Sequence, residues 1–536
     1  MLTLSHFSFK TLKGDFFGAL TSTVVALPFA LAFGVSSGLG ASSGIYCAIL
    51  TGFFASLFGG TNQQITGPNT GLTVAMTAII TEFMTYSPEN GAALAFSVVV
   101  LAGFFQILFG LFKLGKYFTL ISYPVISGFT SGIGVLIILS QLSQLFGQPL
   151  SYLLIDPVIF TNTNILLAAA CLLLLFWWPE KYNNIIPASI VALIGATIYF
   201  LIAAPSLPVI GAITSEFPPL SLPTWDVDLS EKMIKSALLI ATLSTLDSLM
   251  TSLTVDSLSD ELHDSDQELT GQGIGNMIAG LFGALPGGGA TMRTITNLRA
   301  GGTTPISGML HAIFILIIVS FAGEYTAYIP VAVLSAILIK VGLNIIDWNF
   351  LSRFHQIPPF SVFLMLLTMT LSVTFDLVSA VVVGVFLANM VTIRRLSEIQ
   401  LDNLKLYPGQ SIEQLPSDEK LLFKNLNEQV LLLKISGPIS FGVARTLKQS
   451  IGQVASEKII LIDFSEARFV GITSTIAIEE IIVKHLNNNG VVLLANLNNR
   501  VRKSFKKLKM LEKIGNEHIF VSCTEALKFV SDIGKK

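Results

Sequence analysis

Along the first 395 residues, long apolar runs are cut by brief polar, glycine-rich or proline-rich breaks. The apolar segments fall at residues 15–37, 43–60, 70–83, 91–112, 118–146, 163–178, 185–203, 233–253, 270–285, 290–300, 305–323, 327–346, 358–375 and 377–394. A helix that crosses a bilayer needs ~20 largely apolar residues, and fewer where it is broken midway. The pattern predicts fourteen spans, of which 70–83 and 290–300 are short. Each short segment is the third in its set of seven. From about Tyr407 the pattern changes to short runs. "QVLLLKISG", "KIILIDFS" and "GVVLLANL" predict strands. "VARTLKQSIGQVA", "TSTIAIEEIIVKHLNN", the basic "RVRKSFKKLKML" and a last segment near Glu525 predict helices. Such alternation predicts an α/β layer structure with a largely parallel sheet.

Composition turns these apolar segments into membrane spans. The chain is 52% hydrophobic and 12% charged, whereas a soluble domain carries about 25% charged residues. Mean hydropathy is +0.71. Of the 32 Lys and Arg, 13 lie in residues 1–395 and 19 in residues 396–536. That step predicts a membrane domain over 1–395 and a water-soluble domain over 396–536. A net charge of −2 gives no footing for nucleic acid. The N-terminus lacks the basic-then-apolar-then-small pattern of a cleaved signal peptide, so insertion is expected to begin with the first span. With the N-terminus in the cytoplasm, Lys10, Lys13, Lys113, Lys116, Lys181, Arg299, Arg353, Arg394 and Arg395 fall on the cytoplasmic side, as the positive-inside rule requires. An even number of spans then places both termini in the cytoplasm of a bacterial inner membrane. The acidic loop "SLSDELHDSDQE" also falls inside, and acidic residues count little in that rule.

The short segments begin with "TGPNTGLTV" (66–74) and "GGGATMRTI" (287–295). Paired, Gly/Pro-interrupted segments at matching places in two halves point to a transporter's binding site. Seven spans is odd, so the second half is expected to be inverted relative to the first. Half-helices that start near the midplane present unpaired N–H groups, which suit an anion. Asp247 lies well inside the eighth span, where an uncompensated carboxylate costs at least ~2.5–3.5 kcal/mol. Thr251, one turn on, shares its helix face. With free carbonyls from a broken helix they would form an all-oxygen site for Na⁺, and a protonated Asp247 would couple to H⁺ instead. Arg293, near the start of the second half-helix, has three readings: a donor to an anion, an ion-pair partner of Asp247, or a side chain that reaches the cytoplasm. Lys340 is expected to reach the interface, and His311 to be a packed core histidine. Thr473 and Ser474 are expected to cap a helix in the soluble domain. Cys47, Cys171 and Cys523 have no metal-type spacing. No nucleophile–base pair or cofactor motif points to an enzyme.

The segments "ALPFALAFGVSSG", "GPNTGLTV", "LDSLMTSLTVDSL", "GQGIGNMIAGLFGALPGGGAT" and "NLRAGGTTPISG" resemble the SulP family of inorganic-anion permeases. "DFSEARFVGITSTIAIEE" resembles the core of the STAS domain that these permeases carry. Within the family, the run "VDSL…ELTGQGIGN…GGATM" resembles the cyanobacterial BicA-type, sodium-dependent bicarbonate transporters. The resemblance implies two inverted seven-span repeats forming core and gate subdomains, elevator-type movement and a homodimer joined through STAS. It places Asp247, Thr251, Gly289, Ala290 and Thr291 at sodium-ligand positions. The small inorganic anion falls to Asn69, Thr70, Ala290, Thr291 and Arg293. Two departures keep the substrate open. "GPNTG" puts an amide, Asn69, where the bicarbonate transporters have a hydroxyl. Arg293 stands where they have a small residue and many other family members an arginine, so sulfate or another anion, H⁺ coupling or a channel-like conductance are the alternatives. In the STAS segment Gly471 replaces an acidic residue that precedes the phosphorylated hydroxyl in signalling relatives, which argues against a phospho-switch.

Overall fold

The computed structural model describes residues 9–118, 122–146, 163–183, 186–203, 206–213, 217–259, 261–375, 377–402, 404–407, 420, 422, 426, 430–439 and 458–533. Two compact units emerge, Met1–Val385 and Phe386–Lys536. In chain order the first holds α1 (Phe9–Ser36), α2 (Ala41–Phe58), β1 (Thr66–Gly67), α3 (Thr70–Tyr86), α4 (Gly91–Leu111), α5 (Gly115–Phe118), α6 (Tyr123–Phe146), α7 (Thr163–Trp177), α8 (Glu180–Asn183) and α9 (Ala188–Ala203). These are followed by α10 (Ser230–Leu258), α11 (Ser265–Leu281), β2 (Gly288–Gly289), α12 (Thr291–Arg299), α13 (Pro305–Ala322), α14 (Val331–Ile345), α15 (Trp348–Ser352) and α16 (Pro359–Thr374), and then by α17 (Leu377–Asp402), which begins in the first unit. Apart from the short α5, α8 and α15, each of these helices coincides with one of the fourteen apolar segments. Among the described residues six helices, α1, α2, α4, α6, α10 and α13, are long and apolar enough to cross a bilayer by their own length and composition. α17 runs unbroken through residue 385 and through the charge step at 395.

Within the first unit, α1–α4 pack with α10–α13, while α6, α7, α14 and α16 form a second group. The glycines of "GQGIGNMIAG" explain how α11 fits between α2 and α4. Gly271 and Gly275 lie against the α2 side, at Gly59 and Thr51, and Gly273 and Gly280 lie against α4, at Gly103 and Val100. A Cβ on Gly273 would stand 2.5 Å from the Gly103 carbonyl oxygen, and a Cβ on Gly103 would stand 2.5 Å from that of Gly273. Small residues permit such backbone contact between helices. Gly273→Leu is therefore expected to remove the monodisperse, detergent-solubilised protein, because overpacking against backbone exceeds the ~1–3 kcal/mol that a pliable core absorbs. A wild-type melting temperature in that variant would show that α4 and α11 separate freely.

Polar residues at the helix ends are also consumed by the fold. Asp15 accepts from the Thr303 and Thr304 backbone N–H groups (2.8 and 3.0 Å) and fixes the start of α13 to α1. In the second group, Asp347 accepts from Tyr123 Oη and Ser127 Oγ, both at 2.7 Å, and from Phe350 N. The acidic loop resolves likewise: Asp264 caps α11, Asp266 accepts from Gly115 N, and Asp256 pairs with His263 at 2.6 Å. Large apolar side chains such as Trp177, Ile202, Phe321 and Phe386 stay exposed, as a lipid-facing surface requires.

The second unit contains β3 (Leu404–Tyr407), β4 (Val430–Ile439), β5 (Ile459–Val470), α18 (Ile472–Asn487), β6 (Val491–Ala495), α19 (Asn499–Lys507), α20 (Met510–Ile514), β7 (Ile519–Phe520) and α21 (Cys523–Ile533). The sheet order is β3-β4-β5-β6-β7, parallel except for β3 against β4. The helix expected over "VARTLKQSIGQVA" lies outside the described residues. The basic helix divides into α19 and α20 at Lys509, whose φ of 55° is left-handed. The capping expected of Thr473 and Ser474 is corrected. Gly471 occupies the N-cap of α18 and has no side chain to accept, so both hydroxyls lie within the first turn.

Candidate functional site

The two short helices begin beside each other. β1 and β2 pair antiparallel, Thr66 with Gly289 and Gly67 with Gly288, and each strand leads directly into a half-helix. An antiparallel pair sends α3 and α12 away in opposite directions and leaves their N-termini adjacent. A backbone bond from Ala290 N to Ile65 O at 2.9 Å extends the crossing.

Asn69 is the N-cap of α3; its Oδ1 accepts from Leu72 N at 3.1 Å. Its amide nitrogen is buried, on the side of Gly288 and Asp247. Thr70 opens α3 and is buried. Ala290, which brings no hydroxyl or amide, occupies the N-cap of α12, so the first-turn N–H groups of that helix have no intrahelical acceptor and no side-chain cap. Asp247 is half-buried on α10, near Gly71 at the start of α3. Thr251 is fully buried, and its Oγ1 lies 2.8 Å from Thr291 Oγ1. Gly289 N donates to Ser248 Oγ at 3.0 Å, which draws the crossing onto α10. The structure thus brings Asn69, Thr70, Asp247, Thr251, Gly289, Ala290 and Thr291 to one place, where three helices contribute carboxylate, hydroxyl and backbone groups.

Arg293 follows a different course. It is 3% exposed, which excludes a side chain reaching outward, and it forms no ion pair with Asp247 among the described residues. Nη2 donates to the Pro68 carbonyl at 2.6 Å, while Nη1 lies against Gly67 with no acceptor. The guanidinium therefore sits behind the start of α3 and supports the "GPN" turn. His311 is fully buried, with Nδ1 3.0 Å from Thr23 Oγ1, as expected of a core histidine. Lys340 places its ammonium 3.6 Å from the centroid of the Phe176 ring, so its charge rests on an aromatic face.

Sequence reasoning missed the groups that hold the crossing. Ser244 donates to the Gly287 carbonyl at 2.7 Å, and Asn276 accepts from Gly287 N at 2.7 Å and donates to its carbonyl at 3.0 Å. Glu268, 1% exposed, accepts four N–H bonds: from Gly60 N, Thr61 N, Gln64 Nε2 and Gln272 Nε2. The signal was available as spacing, since Ser244/Ser248/Ser252 and Glu268/Gln272/Asn276 each repeat every four residues.

Residues 12–368 match the sulfate permease family, and residues 424–526 match the STAS domain. The bicarbonate transporter BicA of Picosynechococcus sp. is 39% identical, over 97% of this chain and 95% of that protein. Among solved structures, the transmembrane domain of a cyanobacterial BicA superposes with a TM-score of 0.67 at 40% identity, covering 70% of this chain and 98% of that one. SLC26A9 superposes with a TM-score of 0.82 at 18% identity, covering 99% and 92%. The latter likeness concerns the fold.

Proposed function

This chain belongs to the sulfate permease family as a multi-pass membrane transporter of anions, and we propose that its cargo is bicarbonate taken up together with Na⁺. One observation carries the reading. Between the two half-helix starts, Asp247 supplies a carboxylate near Gly71 of α3, and Thr251 and Thr291 supply two hydroxyls 2.8 Å apart at the start of α12. Such oxygen donors suit a hard monovalent cation, which would join the Thr251–Thr291 pair as cargo. The anion would lie between the two helix N-termini, close to the Asn69 amide and the Thr70, Ala290 and Thr291 backbone. Similarity to BicA over nearly the whole chain supports this choice of anion. In this reading all fourteen helices cross the plasma membrane and both termini are cytoplasmic. The α1–α4 and α10–α13 group carries the site past the remaining helices, and two copies associate through STAS.

A second reading has its own support. Arg293 is buried with one nitrogen unpaired, so it can supply the positive charge that Na⁺ would otherwise bring. Transport of sulfate or another anion would then run with H⁺, or as a conductance that follows only the membrane potential. Radiolabelled bicarbonate and sulfate uptake into proteoliposomes separates the two. An inward Na⁺ gradient is expected to accelerate bicarbonate uptake about tenfold and to leave sulfate unaffected. Equal bicarbonate flux in Na⁺ and choline would overturn the coupling, and preferential sulfate uptake would overturn the substrate.

A further inference from the structure

We propose that two buried polar stripes, Ser244/Ser248/Ser252 on α10 and Glu268/Gln272/Asn276 on α11, are positioning residues that set the separation of the two half-helix N-termini. The inference rests on the crossing being the transport site. All six side chains are at most 1% exposed, and each stripe advances by four residues, so each lies along one helix face.

The stripes hold both strands from both sides. On the β2 side, Ser244 and Asn276 take the Gly287 backbone, Gln106 links those two side chains, and Ser248 takes Gly289 N. On the β1 side, Glu268 gathers Gly60, Thr61 and Gln64, and Ser252 donates to Gln64 Oε1 at 3.1 Å. Gln272 joins the two ends of this arrangement. Its Nε2 donates to Thr66 Oγ1 at 2.7 Å and to Glu268 Oε1 at 2.8 Å, so one amide ties β1 to the α11 carboxylate. Thr66 in turn pairs with Gly289. A shift at Gln272 therefore reaches the start of α12 as well as that of α3. Among the described residues none of the six side chains has a hydrogen bond to the side chains of Asp247, Thr251 or Thr291, so they act on the cargo through the backbone they hold.

A structural brace alone would lower stability and leave affinity untouched. Positioning instead alters substrate binding, because ligands misplaced by ~1 Å lose much of their interaction. Gln272→Ala is expected to raise KM for both bicarbonate and Na⁺ about tenfold, with Vmax changed less than about twofold. Hydrogen exchange should accelerate in peptides covering both Ile65–Gly71 and Gly287–Met292. Asp347→Asn, whose bonds lie at α6 and α15, serves as the stability control: its melting temperature should fall while both KM values stay at wild type. Thr66→Val removes the other end of the same bond and repeats the test if Gln272→Ala does not fold. A lowered melting temperature with wild-type KM and wild-type exchange in both peptides would overturn the proposal. Faster exchange in both peptides, with a wild-type protein that carries no bicarbonate, would instead uphold the positioning and remove the assigned cargo.

Discussion

Asp247→Asn is expected to lower Na⁺-driven uptake at least about 100-fold while leaving a folded protein. The substitution preserves volume and deletes one negative charge. Close charge pairs in binding couple by about 1.5–7 kcal/mol, and each 1.4 kcal/mol is about tenfold in affinity. The remaining oxygens, on Thr251 and Thr291, are neutral and already occupied by each other at 2.8 Å. The carboxylate is therefore what would draw a cation into this position. Folding is expected to survive, since the fold-holding bonds on α10 come from Ser244, Ser248 and Ser252. Thermal stability supplies a second reading of the same variant. A ligand bound only to the folded state stabilises it by about 2.7 kcal/mol at a concentration 100 times its Kd, so NaCl should raise the wild-type melting temperature relative to choline chloride. In Asp247→Asn that rise should vanish. Undiminished Na⁺-driven uptake in the variant would take Asp247 out of the coupling.

Arg293→Ala has the next largest expected effect, a rise of about 10- to 100-fold in the KM for the anion. Two losses combine. The bond from Nη2 to the Pro68 carbonyl is charge-assisted, a class that contributes about 1.5–3 kcal/mol. The buried positive charge beside the start of α3 is lost with it. Arg293→Lys separates these contributions. Lysine retains the charge as a compact ammonium but cannot reproduce the planar fork, so a KM restored toward wild type identifies charge as the dominant part. A KM that stays high in Arg293→Lys identifies support of the "GPN" turn. An unaltered KM in Arg293→Ala would confine the arginine to packing.

How much of this was legible in the chain depended on how local each signal is. Each apolar segment became a helix because bilayer-length hydrophobicity is written in consecutive residues. The half-helices were legible from the shortness of segments 70–83 and 290–300 and from the Gly and Pro that precede them. Asp247 stood out because a carboxylate is costly there. Arg293 was not resolved, because its partner Pro68 is 225 residues away and nothing in its neighbours gives its direction. The serine stripe was hidden because an isolated serine in a helix commonly bonds its own backbone. Glu268 was read as part of an acidic loop, although it lies inside α11 with four N–H donors. Capping by Thr473 and Ser474 failed by two or three residues, which is the ordinary uncertainty of a helix boundary.

The crossing of β1 and β2 has a consequence for biogenesis. Thr61, Gln64 and Thr66 find partners on α11 at separations of 207, 204 and 206 residues. At a synthesis rate of ~5–20 residues per second, those partners emerge about 10–40 s later. Until then the first repeat carries unsatisfied donors and acceptors, buried in the finished protein, at the level of its third helix. Those groups must remain hydrated or be sheltered by the insertion machinery, so the two repeats are obliged to complete each other in the membrane during a single round of synthesis.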